Sequence, residues 1–109
     1  MDSVSLTTLV DEHLAAAKTA HSGRSAHTVH GGHDKHLRQT LVALAAGHGL
    51  AEHESPGEAT LQVLRGRVRL SAGDDAAEGV TGDLLVVPDA RHALDALEDS
   101  VILLTVRTG

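Results

Sequence analysis

Apolar residues near the start of the chain recur at steps of three and four: Leu6, Leu9, Val10, Leu14 and Ala17. That spacing draws one apolar stripe along a helix over residues 5–20, SLTTLVDEHLAAAKTA. Ser3 or Ser5 can cap its start, Lys18 suits the negative end of the helix dipole, and Gly23 follows as a stop signal. His13 falls at the boundary of the stripe. A short helix is marginal alone, so the stripe needs a partner: the wall of its own fold or a second subunit.

From residue 25 the period changes to that of strands. Ser25–His30 and Leu37–Ala45 are rich in Val, Thr and Leu and flank Gly31-Gly32, which predicts a hairpin. Gly47–Gly49 interrupts, Pro56-Gly57 marks a loop, and residues 59–64 and 67–71 read as strands joined at Arg65-Gly66. Gly73-Asp74-Asp75 and Thr81-Gly82-Asp83 are turns, and Glu98-Asp99 is another. Leu84–Val87 is a continuous apolar run ended by Pro88, which predicts a buried strand. Residues 92–97 alternate, and 101–106 form the last strand. Of Arg38 and Gln39, Gln39 shares parity with Leu37 and Leu41, so it is expected to point inward and offer its amide to a ligand. Many short strands separated by Gly, Asp and Pro turns predict an all-β sandwich or barrel.

Composition narrows the chemistry. A chain of 109 residues, 41% hydrophobic and 22% charged, suits one packed core. It has no Phe, Tyr or Trp, so no aromatic platform exists for stacking bases. The net charge of −6 disfavours a phosphate backbone as partner, and no nucleic-acid role is expected. Without cysteine there is no disulfide, thiolate nucleophile or cysteine zinc site. Neither a leader pattern nor a membrane-length apolar run is present, so a soluble cytoplasmic protein with no membrane partner is expected. No Gly-x-Ser-x-Gly elbow occurs, and Gly47-His48-Gly49 lacks the third glycine of a nucleotide loop.

The nine histidines carry the remaining signal. His21, His27, His30, His33 and His36 crowd sixteen residues around the Gly31-Gly32 turn, where solvated histidines are the simpler reading. His48 is read as a surface residue. His53 and His92 stand apart, each inside a glycine-bounded motif: GHGLAEHESPGEATLQVLRG from Gly47 to Gly66, and GDLLVVPDARH from Gly82 to His92.

Together these two stretches resemble the paired motifs of the cupin family, over roughly residues 37–106. Gly47, His53 and Gly66 match the first motif, but Ser55 stands where its second histidine belongs and Ala59 where its glutamate belongs, with Glu58 one residue before. Gly82 and Pro88 match the second motif, Ala90 replaces its glycine, and His92 arrives one residue early. The resemblance implies an antiparallel jelly-roll barrel over residues 25–109, preceded by a helical extension at 1–24. It is similar to the small stand-alone bacterial cupins, and it implies a homodimer, with the helix on its own barrel or across the interface.

The family's metal site implies His53 and His92 as ligands of a divalent transition ion (zinc, nickel, iron or manganese), or a barrel that has kept no metal. A divalent ion wants three or more donors, so Glu58 or Glu54 would have to swing in, or a histidine of the N-terminal segment reach the site, while Ser55 could hold a metal-bound water. Gln39, Ser55 and Glu58 are therefore the candidate ligand-binding residues. Two functions remain open: a barrel that binds a small molecule or metal without turnover, and a metal-dependent oxygenase or isomerase acting on a small polar metabolite. Without metal, either histidine could serve as a general base.

Overall fold

A computed structural model describes residues 1–55 and 57–108. Pro56, half of the expected Pro56-Gly57 loop, lies outside the described residues, as does Gly109. Helix α1 runs Leu6–Thr19, and Ser5 caps it by accepting the Thr8 N–H at 3.2 Å. Nine strands follow: β1 Arg24–His30, β2 Leu37–Leu44, β3 Gly49–His53, β4 Glu58–Arg65, β5 Arg67–Ala72, β6 Asp75–Val80, β7 Leu84–Val86, β8 His92–Ala96 and β9 Ser100–Arg107. They form a five-stranded sheet in the order β1-β2-β9-β4-β7 and a four-stranded sheet in the order β3-β8-β5-β6. All pairings are antiparallel, and the arrangement is a jelly roll with one short N-terminal helix.

Two layers of apolar residues explain this stacking. Between the sheets lie Val42, Leu44, Leu61, Val63, Val68, Leu70, Leu94 and Ile102, all buried. On the outer face of the five-stranded sheet, Leu41, Ala43 and Val101 are covered by Val10 and Ala17 of α1, with Leu6, Leu9 and Leu14 packed beside them. The helical stripe thus finds its partner on the chain's own sheet. Successive β2 residues from Leu41 to Leu44 are all buried because both faces of that strand are covered, one by the opposing sheet and one by the helix.

Several expectations need correction. Gly31-Gly32 does not make a two-residue turn; residues 31–36 connect β1 to β2. Strand β6 is not marked by the residue pattern. In β6 (DAAEGV) only Gly79 is buried, so the apolar periodicity that marks a strand is missing. The apolar run at residues 84–87 is an edge strand rather than a buried one: Leu84 and Val86 face outward and are 61% and 74% exposed, beyond the reach of α1. Gln39 also points the other way. It shares a face with Leu41 and Ala43, on the helix side of the sheet, and its amide donates to Thr105 Oγ1 at 3.2 Å. The core-facing parity on β2 belongs to Arg38, Thr40, Val42 and Leu44.

Candidate metal centre at the barrel mouth

His53 and His92 lie opposite each other at the ends of β3 and β8, with ring centroids 4.5 Å apart and planes at 64°. Their meeting depends on a bulge. Leu50 pairs with Leu94 and His53 with His92, so β3 spends one residue more than β8 between those pairs. Leu50, Leu94 and both histidines therefore share the inner face, where they line one cavity. His92 is 5% exposed, whereas His53 is open to solvent.

Each ring is held the same way. His53 Nδ1 is 2.8 Å from the Ala51 carbonyl, and His92 Nδ1 is 2.8 Å from the Ala90 carbonyl. A carbonyl oxygen only accepts, so both Nδ1 atoms carry the proton and, in the neutral rings, both Nε2 atoms carry a lone pair. Such an N–H···O=C anchor is how metal-ligating imidazoles are commonly oriented. The separation also fits. With metal–nitrogen bonds of about 2.1 Å, two rings at right angles around one ion have centroids ~4.5 Å apart.

The donor count falls short of a closed site. Among the described residues, no group of three His, Cys, Asp or Glu side chains converges as a metal cage. Glu58 has the opposite parity to Ala59, pairs in register with Arg107, and is exposed on the outer face of its sheet, turned away from the two histidines. Glu54 is turned outward with Glu52, and the two carboxylates accept from Arg91 at 3.1 and 2.9 Å. Hydrogen bonds and charge from Glu52, then Glu54, raise the Arg91 pKa. Ser55 donates to the Gly57 carbonyl at 2.9 Å, within its own loop. The residues present thus fit two positions of a divalent ion and leave the others to solvent or an external ligand.

Space is limited beneath the rings. The cavity measures about 30 Å³ and is aliphatic apart from the two histidines, with Ala59, Leu61 and Val87 in its wall. That is room for about one water. A larger groove of about 490 Å³ borders the rim and outer side of β9, β4 and β7, between Glu58, Thr60, Val86, Thr105 and Arg107, and the histidine rings do not line it.

The Arg91 clamp and the β3 bulge escaped sequence reasoning. Glu52, Glu54 and Arg91 flank the two histidines in sequence, at odds with inward parity, and that alternation was the available signal. Among the described residues, no helix is long and apolar enough to cross a membrane.

No protein-family model matches the chain, and no curated protein matches it in sequence. Solved structures do match in shape. An RmlC-like cupin from Desulfovibrio desulfuricans superposes with a TM-score of 0.74 at 24% identity, over 98% of this chain and 96% of that one. A conserved protein of unknown function from Streptococcus pyogenes gives 0.73 at 25% identity, over 83% and 78%. A salicylate 1,2-dioxygenase from Pseudaminobacter salicylatoxidans gives 0.75 at 19% identity, over 92% of this chain and 33% of that longer one.

Proposed function

The chain has the cupin fold, and from that premise we propose that it is a binding barrel rather than an enzyme. His53 and His92 take one divalent transition ion at the mouth through Nε2, and a small polar molecule fills open positions. The carrying observation is the matched pair of Nδ1–H···O=C anchors at 2.8 Å, which leaves both Nε2 lone pairs available. Zinc, nickel, iron and manganese all accept imidazole alongside oxygen donors, and two protein ligands imply exchangeable binding. A bound ion supplies Lewis acidity toward the oxygen of its ligand.

Binding is favoured over oxygenase or isomerase turnover by size. The cavity of about 30 Å³ is far below the roughly 300 Å³ at which sites begin to enclose small molecules. The ligand of this reading therefore sits at the open mouth.

The same reading includes a homodimer. Strand β1 leaves one edge unpaired, and Ala26 and Thr28, on the side of β1 that continues the core face, are exposed. An uncovered sheet edge and face of this kind favour a second copy as cover. Light scattering at micromolar concentration should give twice the monomer mass, and a monomer there would remove this part of the proposal.

Equilibrium dialysis of untagged protein against zinc or nickel tests the central claim. One rim ion should bind, and His53→Ala and His92→Ala should each weaken it at least tenfold. No binding by the wild type, or binding unchanged in both variants, would overturn it.

A further inference from the structure

A second histidine pair lies away from the mouth, between the helix and the edge strand. His13 on α1 and His27 on β1 have ring centroids 5.4 Å apart, with planes tilted by 34°. Ser25, His27 and Val29 share the face of β1 that looks toward α1, since their β2 partners include Leu41 and Ala43 beneath the helix. His13 Nδ1 is 2.7 Å from Ser25 Oγ. Among the described residues, neither ring nitrogen of His27 has a hydrogen-bond partner.

From this geometry we infer that His13 and His27 form a second site for a divalent transition ion, which fastens α1 to β1. Three observations carry it. The spacing fits: with metal–nitrogen bonds of about 2.1 Å, two rings at the tetrahedral angle around one ion have centroids ~5.2 Å apart. Ser25 can accept the Nδ1 proton of His13 and so leave Nε2 as the donor, the outer anchoring that metal-bound imidazoles use. The ligands also come from two different elements, so an ion held by both is bound only when helix and strand are docked, and binding is linked to that docking. The protein supplies two donors and water the rest, which suits a borderline ion such as Zn²⁺ or Ni²⁺.

This second pair is independent of the mouth. His53 and His92 belong to the other sheet, and their failure to bind metal would leave this pair untouched. The remaining histidines of the crowded segment do not complete the site. His36 Nδ1 is engaged by the Thr108 carbonyl at 2.9 Å, and His30 lies past the β1 bulge, in register with Gln39 at the end of the strand.

Titration of the untagged full chain with Ni²⁺ alone, followed through the histidine ring NMR signals, separates the possibilities. The paramagnetic ion should broaden His13 and His27 together, before His21, His30 or His33. Replacing the exposed His27 by Gln (His27→Gln) should lower affinity at this site at least tenfold and remove one bound ion. Zn²⁺ should raise the thermal midpoint of the His53→Ala/His92→Ala variant, and it should not do so once His27→Gln is added. The inference is overturned if His13 and His27 broaden no earlier than the surface histidines, or if His27→Gln leaves the stoichiometry unchanged. Broadening of His53 and His92 is read separately in the same spectra and reports only on the mouth.

Discussion

His53 faces His92 across the barrel mouth because β3 takes three residue steps from Leu50 while β8 takes two from Leu94. In a regular strand Leu50 would share its face with Glu52. The bulge exchanges that carboxylate for an imidazole, and it sends Glu52 and Glu54 out to Arg91. Strand geometry, more than residue type, thus decides which donor reaches the mouth.

Gly49 tests how tightly β3 must lie on β8. A Cβ at this position would run into the Leu94 carbonyl oxygen and the Asp95 backbone, neither of which can swing aside. Gly49→Ala must therefore push β3 off its partner, at a cost of about 1–3 kcal/mol as for other overpacked positions. Urea unfolding should show that loss, together with weaker ion binding at His53 and His92. Gly73→Ala is the comparison, since a Cβ there meets nothing within 4 Å, and its effect reports only the strain of φ +58°.

The exposed clamp of Arg91 with Glu52 and Glu54 predicts a separation of effects. Surface ion pairs contribute little to global stability, so Arg91→Ala should leave the unfolding midpoint nearly unmoved. The same change frees the bulged end of β3 from the turn before His92 and should lower ion affinity at the mouth several-fold. In the wild type that affinity should fall as salt is raised, and in the variant it should not. Equal affinities at low salt would show that the clamp plays no part.

The limits of sequence reading follow from the same features. The helix was legible because Val10 and Ala17 sit on a stripe with a 3.6-residue period, and β5 because Val68 and Leu70 alternate with arginines. The motif glycines and Pro88 marked the barrel. The face of β2 was not legible: Leu41, Val42, Ala43 and Leu44 are all buried, so hydrophobicity could not tell Gln39 from Arg38. Leu84 and Val86 misled for the opposite reason, being apolar at an edge that none of the described residues covers. The pairing of His53 with His92 followed from the motif spacing, while the bulge that aims His53 has no sequence signature of its own.

Ser100 is fully buried and satisfies the backbone N–H of Arg67 on another strand. Its hydroxyl accepts the Arg67 N–H at 3.1 Å and lies 3.0 Å from the Arg67 carbonyl and 2.8 Å from that of Glu98. Ser100→Ala strips the Arg67 amide of its acceptor in a site closed to water, which should cost about 1–3 kcal/mol. Chemical denaturation reads this directly. A change within error of zero would mean that the backbone relaxes to find another partner.

Asp99 sets an acid limit on the fold. Its carboxylate accepts the Ala46 N–H at 2.9 Å and lies 3.5 Å from Lys18 Nζ, tying the β8–β9 turn to the loop after β2 and to the helix end. The Ala46 hydrogen bond chiefly holds its pKa below the ordinary 3.8; desolvation opposes it, and the charge and hydrogen bond of Lys18 add to the lowering. A carboxylate whose folded-state pKa is depressed stabilises fully above its unfolded value and loses that contribution as pH falls through the folded one. The contribution should therefore be intact above about pH 5 and fade below 3.8. Asp99→Asn removes this titration: thermal midpoints of the variant should lie below wild type at pH 6 and converge with it as pH drops toward 3. If the gap stays constant across that range, the Asp99 carboxylate is not what links stability to acid.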